Sequence, residues 1–201
     1  MSQLPVKREL GRSGIVVSGM GLGCWAIGGP FWRGDTPVGW GEVDDDESIR
    51  AIRRAFDLGV TFFDTADVYG TGHSERVLGR ALSDVRDEVV IATKFGNVFD
   101  EETRQITGSS AEPAYIRQAC EASLTRLGTD YIDLYQLHAG NLSLEDAAPV
   151  RDTLEALVAD GKIRAYGWST DDPERAGFFA EGEHCTSVQH QLNVLRDAPA
   201  M

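Results

Sequence analysis

Four side chains of this 201-residue sequence have the types and the order to do chemistry together. Asp64 closes the apolar run VTFFDT, and Tyr69 follows it in a loop. Lys94 closes EVVIATK, and His138 closes YIDLYQLH. A free phenol has a pKa near ~10, too weak an acid to protonate a developing alkoxide efficiently at neutral pH. A nearby ammonium stabilises the phenolate and lowers that value. Lys94 is the expected source of the charge, with Asp64 paired to Lys94 and holding it. His138 can orient a carbonyl oxygen by hydrogen bonding. Tyr69 then donates its proton as hydride reaches carbon, which is general acid catalysis. No side chain supplies hydride, so this chemistry requires a nicotinamide cofactor. Each residue alone has a plainer reading: a turn cap, a rim aromatic, a solvated strand end, a hydrogen-bonded core histidine. Their order at successive strand ends favours the chemical reading.

The elements that must position these residues repeat along the chain. A short β-branched run, a loop, an amphipathic helix and a glycine recur, the alternation of a parallel sheet. VKREL and IVVS around GRSG predict a small hairpin before the repeat begins. Strands are expected at about 19–26, from Val60, up to Lys94, over Tyr131–His138, over IRAYGWST, and over about Thr186–Val194. Helix one is expected from about Asp46 to Leu58, with Ile49, Ile52, Ala55 and Phe56 on one face. Ser74 is the expected N-cap of helix two. Pro113 suits the first turn of helix three, whose face carries Ile116, Cys120, Ser123, Leu124 and Leu127. Val150, Leu154, Leu157 and Val158 mark helix four, and a shorter helix follows Pro173. Gly59, Gly128 and Gly161 end helices. The loops GGPFWRGDTPVGWGEVDD and Phe95–Ser110 are read as irregular. Strand ends of a parallel sheet point one way, so Asp64, Lys94, His138, Ser169 and Gln189 gather on one rim. Six βα strands are counted, with a sixth helix starting in LRDAPAM. A closed barrel and an open doubly wound sheet both remain possible from the pattern.

Composition narrows the function. A net charge of −13 argues against nucleic acid and against an anionic membrane surface. Any cofactor phosphates must then be held by local groups. No apolar run approaches the ~20 residues of a membrane span, and MSQLPVKREL lacks the apolar stretch of a signal peptide. Three cysteines, Cys24, Cys120 and Cys185, predict a reducing, cytoplasmic setting without a disulfide framework. No His, Cys and carboxylate cluster has metal-ligand spacing. Gly19, Gly21 and Gly23 read G-x-G-x-G with no helix directly behind, which is not a dinucleotide fingerprint. Phe31, Trp32 and Trp40 either line a substrate pocket or fold over one another.

Several long segments resemble the aldo-keto reductase family. These are FDTADVYG from Phe63 to Gly70, GHSERVLG from Gly72 to Gly79, IATK from Ile91 to Lys94, and SLTRLGTDYIDL from Ser123 to Leu134 followed by Gln136-Leu137-His138. The resemblance covers almost the whole chain, read as one domain over 1–201. It implies a (β/α)8 barrel of the TIM type, an α/β fold, with an N-terminal hairpin closing its floor and about six of eight βα units present. It implies Tyr69 as proton donor, with Lys94, Asp64 and His138 beside it. It implies NADP(H), with NAD(H) open, bound near Cys24, Trp25, Asp64, Ser169, Thr170 and Gln189. Where the family usually carries Ser-Asn this chain has Ser169-Thr170, and a hydroxyl cannot reproduce an amide's two-ended hydrogen bonding.

The same resemblance places the groups that grip the adenosine 2′-phosphate, and a loop that shapes substrate choice, in strands seven and eight, which the count does not reach. Uncovered parallel edges then predict self-association or a longer parent chain. Three functions follow. One is an NADP(H)-dependent reductase of small aldehydes and ketones. Another is a cofactor-sensing binding module on the same fold. The third is a fragment whose cofactor site is incomplete.

Overall fold

Lys7–Glu9 (β1) and Val16–Ser18 (β2) pair antiparallel across a turn bounded by Gly11 and Gly14. In this computed structural model residues 6–140 and 142–191 are described. After Gly21–Gly23 (β3) a 3-10 turn, Ala26–Gly28, leads to two short strands, Trp32–Arg33 (β4) and Thr36–Pro37 (β5). Helix α1 follows over Asp45–Asp57. Asp44 caps it by accepting from the Glu47 N–H at 3.0 Å, and acidic residues fill its first turn. Phe62–Asp64 (β6), His73–Leu82 (α2) and Val90–Phe95 (β7) come next. An antiparallel pair, Asn97–Asp100 (β8) and Gln105–Ser109 (β9), precedes Pro113–Leu127 (α3). Then come Ile132–Leu137 (β10), Leu144–Ala159 (α4), Ile163–Ser169 (β11), Pro173–Ala180 (α5) and Cys185–Gln189 (β12). Gly59, Gly128 and Gly161 stand just past helix ends at φ of 91°, 66° and 71°.

Among the described residues, six strands form one sheet in the order β3-β6-β7-β10-β11-β12, each pair parallel. Neighbours in space are neighbours in the βα repeat, as in a barrel and unlike the reversed order of a doubly wound sheet. β3 and β12 are its edges. The end of the sixth expected strand and the LRDAPAM segment lie outside the described residues.

The sheet has two faces with different contents. Outward residues such as Phe63, Ile91, Tyr135 and Trp168 pack with helix residues Val77, Leu78, Cys120, Leu124 and Leu154 in one apolar layer. Inward residues Val90, Ala92, Leu134 and Ala165 pack instead with Ile15 and Val17 of the hairpin, which covers the lower inner face. Arg12 ties that hairpin to the far side by donating to the Ala180 carbonyl at 3.0 Å and to the Gly182 carbonyl.

Two expectations change. The two long loops are not irregular: they join as a four-stranded sheet, β5-β4-β9-β8, through the pairing of Trp32 with Gln105. Ser74 does not cap α2. Gly72 holds that position at φ 92°, while the Ser74 hydroxyl accepts from Thr65 Oγ1 and donates to the Cys24 carbonyl, both at 2.8 Å. A wholly buried hydroxyl found tertiary partners, which satisfies it better than a helix end exposed to water.

Candidate active site

Strand alternation brings the reactive residues together. Asp64 pairs in register with Ala92, and Lys94 with Gln136, so their side chains share the inner face two residues above the apolar floor. Lys94 is 1% exposed. Its Nζ donates to Asp64 Oδ2 at 2.7 Å and to the Thr65 carbonyl at 2.8 Å. A buried ammonium needs such partners to stay charged.

Tyr69 is brought over this pair by backbone. Thr65 and Asp67 donate their N–H groups to the Ala92 and Lys94 carbonyls, extending the sheet into the loop. Gly70 at φ 60° and Thr71 at φ 51° then turn the chain. A Cβ on Gly28 would sit 2.6 Å from the Tyr69 carbonyl carbon, and one on Gly70 would sit 1.8 Å from the Gly28 oxygen. Only glycine lets these two segments touch, and their contact fixes Tyr69. Lys94 Nζ lies 5.1 Å from the centre of the Tyr69 ring. The Trp25 ring stacks on Tyr69 at 5.9 Å, and the His138 ring stands edge-on at 6.0 Å.

The expected lowering of the Tyr69 pKa by Lys94 is reversed. Burial, and after it the Asp64 carboxylate, push the phenol above its usual value. Asp64 sits against the ammonium and offsets its field, so Tyr69 is a neutral phenol throughout the ordinary pH range. Burial, with Lys94 second, brings the His138 imidazole down to about 4. His138 is therefore neutral at pH 7, and among the described residues its buried Nδ1 has no hydrogen-bond partner.

A cleft of about 850 Å³ opens above these residues, lined by Tyr69, Lys94, His138, Ser169, Thr170 and Gln189 among others. Ser169 and Gln189 are register partners on β11 and β12. Their hydroxyl and amide are the donor and acceptor types a carboxamide such as nicotinamide's calls for, and 850 Å³ lies in the range of small-ligand sites. The Thr170 hydroxyl accepts from the Asp172 N–H at 3.1 Å, so it shapes the turn into α5. Cys24 is not brought to the cleft: it is wholly buried in the outer apolar layer, and burial raises its thiol to about 12. Phe31 divides from Trp40. Phe31 is buried with Ala66 and Val68, whereas Trp40 is 69% exposed and meets Trp25 edge-on. Among the described residues no group of three or more His, Cys, Asp or Glu could hold a metal ion, and no helix is long and apolar enough to cross a membrane.

Sequence reasoning passed over Gln136. It is buried on the inner face, and its amide donates to Gln189 Oε1 at 3.3 Å and to Asp64 Oδ1 at 3.5 Å while accepting from Ser187 at 3.1 Å. Its place on β10 two residues before His138, which follows that strand's end, was the available signal. Glu75 was also missed. It is a wholly buried carboxylate held by Thr93 and Arg126, both at 2.6 Å.

Comparison with known proteins identifies the family and agrees with the parallel α/β fold. A sequence model of the Aldo/keto reductase family matches residues 19–200. Aldo-keto reductase YhdN of Bacillus subtilis is 38% identical over 192 residues, which are 93% of this chain and 54% of that protein. The holo form of aldo-keto reductase AKR11C1 from Bacillus halodurans superposes with a TM-score of 0.80 at 33% identity, over 94% of this chain and 58% of that one. An aldo/keto reductase from Klebsiella pneumoniae, solved with NADP and acetate, gives a TM-score of 0.68 at 33% identity, over 89% of this chain and 56% of that one. The chain thus spans little more than half the length of each of these three relatives.

Proposed function

This chain belongs to the aldo/keto reductase family of oxidoreductases, and we propose that it carries the catalytic rim of an NADP(H)-dependent reductase of aldehydes and ketones. The observation that supports this most is the buried Lys94–Asp64 pair beneath Tyr69, with neutral His138 edge-on to the same ring. A nicotinamide cofactor supplies hydride to the carbonyl carbon when bound. Ser169 and Gln189 are the residues proposed to hold its carboxamide, with Trp25 and Asp64 nearby. The relatives solved in a holo form and with NADP support the choice of NADP(H).

The protein's own groups divide the remaining work. His138, uncharged at pH 7, donates a hydrogen bond to the carbonyl oxygen and fixes its direction. Tyr69 donates its proton to that oxygen as negative charge develops there. A phenol, even with its pKa raised, gives a proton readily to an alkoxide, whose conjugate acid is about as weak as water (~15.7). Lys94 steadies the phenolate left behind, and Asp64 keeps Lys94 in place. The apolar outer layer and the hairpin keep this machinery rigid.

The complete fold is proposed as an eight-stranded barrel and the setting as cytoplasmic. The edges β3 and β12 are proposed to pair with further strands, from a second copy or from a longer chain. A second reading, in which these residues hold an incomplete cofactor site, rests on the share of the relatives that the chain spans. NADPH fluorescence titration of the 201-residue chain decides between them: saturable binding supports the reductase, and none supports the incomplete site.

Tyr69→Phe tests the mechanism. NADPH oxidation with an aldehyde panel should fall by about a hundredfold or more, with NADPH affinity nearly unchanged. Equal activity in the variant would remove Tyr69 as the proton donor.

A further inference from the structure

Two further clefts meet at His138. One, of about 240 Å³, is walled by Trp25, Phe31, Val38, Val68 and Ile106 and reaches Tyr69. The other, of about 560 Å³, runs along Thr107–Ser109 of β9 toward Gly140 and Leu142. Four residues line both: Arg33, Asn97, Ile106 and His138. A molecule whose carbonyl lies against Tyr69 and His138 therefore passes an apolar wall and meets Arg33 where the clefts join.

The charge pattern there runs against that of the chain. The sequence carries 32 acidic residues and a net charge of −13. Among the described residues neither cleft has a carboxylate in its lining, and Arg33 is the one Lys or Arg in either. Arg33 makes no ion pair among the described residues. Its single side-chain hydrogen bond there is a long one, from Nη2 to Asn97 Oδ1 at 3.4 Å. That bond uses the amide's acceptor and leaves the Asn97 NH₂ to donate elsewhere. A guanidinium fork beside an amide donor, free of competing carboxylates, is suited to a bidentate carboxylate. The overall negative field would repel an anion, so any preference for one must come from this local group.

We propose that the substrate of this site is an aldehyde or ketone bearing a carboxylate a few carbons away, which Arg33 and Asn97 bind. The inference rests on the reductase reading for its carbonyl end only. A cavity of about 240 Å³ accepts one ring or a chain of a few carbons, since an apolar cavity of ~150 Å³ accepts benzene. Arg33 sits on β4 and Asn97 on β8, so the small sheet formed from the two long loops is what sets the distance from carbonyl to carboxylate.

The test needs a readout without turnover. Isophthalate and its dimethyl ester are titrated into the chain while tryptophan emission is followed, because Trp25 lies against Tyr69. Isophthalate should bind at least tenfold tighter than the ester. Arg33→Gln should abolish that difference, and Arg33→Lys, a charge without the fork, should keep part of it. Arg33 is exposed, so circular dichroism of both variants should match the parent. Equal binding of isophthalate by parent and Arg33→Gln overturns the proposal. With NADPH, the ratio of kcat/KM for formylbenzoate to that for its methyl ester should fall tenfold in Arg33→Gln. A parent ratio at or below one overturns the proposal and leaves the reductase reading standing. No turnover of either aldehyde, with Arg33-dependent isophthalate binding intact, removes the reductase reading and leaves the carboxylate site standing.

Discussion

Two ion pairs of this molecule, Arg126–Glu75 and Lys94–Asp64, each bury one member, and they are completed differently. Arg126 of α3 donates to Glu75 of α2, whose other oxygen accepts from Thr93. Arg126 also reaches Ser123 at 3.3 Å and Glu101 at 3.4 Å, and Glu75 is fully shut off from water. Burial opposes the Arg126 charge, the Glu75 carboxylate outweighs it, and the net direction is upward. Lys94 and Asp64 also have three further partners, Thr65, Gln136 and Gln189, but Asp64 holds the two glutamines more loosely. The Asp64 side chain is 19% exposed, and its contacts with Gln189 and Gln136 are long, at 3.4 and 3.5 Å. The first pair is closed and stitches two helices and a strand together. The second has spare hydrogen-bonding capacity and opens on a cleft, where a ligand can complete it.

Substitutions at the two cations should separate these roles. Lys94→Met should reduce NADPH-dependent carbonyl turnover by about a thousandfold, at a stability cost of about 1–2 kcal/mol in urea denaturation, because Asp64 can turn to water. Loss of stability with turnover intact would make this pair structural as well. Arg126→Met should do the reverse. It strands a carboxylate with no access to water, at a cost of about 3–5 kcal/mol, while turnover per folded molecule stays within a few-fold. A variant as stable as the parent would mean that this ion pair does not hold the helices together.

The smallest effect belongs to His138, which shares the open pair's cleft. Its folded pKa, about 4, lies below the ordinary ~6.5. Between these values the unfolded chain binds a proton that the folded chain does not. Stability is therefore lost as pH falls through that window, by about 2 kcal/mol from pH 7 to pH 5. Urea midpoints of the parent and His138→Gln at the two pH values check this. The variant should lose less on acidification, and parallel losses would contradict the buried neutral imidazole.

The sequence made some of this legible and hid the rest for physical reasons. Ile116, Cys120, Ser123, Leu124 and Leu127 recur at helical spacing, and all five are buried on α3. Asp64, Lys94 and His138 stand at strand ends because residue types change sharply there, from apolar to reactive. The small sheet β5-β4-β9-β8 was hidden because its strands are short and its central pairing joins Trp32 to Gln105, far apart in sequence. No local pattern reports such a pairing. Cys24 carried a resemblance, yet its thiol turned to the core, since a residue's place in a motif does not say which way a side chain points. The direction of the Tyr69 shift was misjudged by counting the nearest positive charge and omitting desolvation and Asp64. Gln136 and Glu75 act through partners on other elements, and only the folded chain brings those partners near.

The hairpin floor also bears on how the molecule is made. Ile15 and Val17 emerge from the ribosome long before Leu134 and Ala165, the residues they must cover. Arg12 waits for the Ala180 carbonyl, 168 positions later in the chain. At ~5–20 residues per second, that interval is roughly 10 to 30 seconds. During it the hairpin's two apolar side chains gain Phe62, Val90 and Ala92 first and Leu134 and Ala165 only later, so the inner face is covered in stages. The floor is thus sealed last, when the chain near the end of the described residues supplies the carbonyls that Arg12 holds.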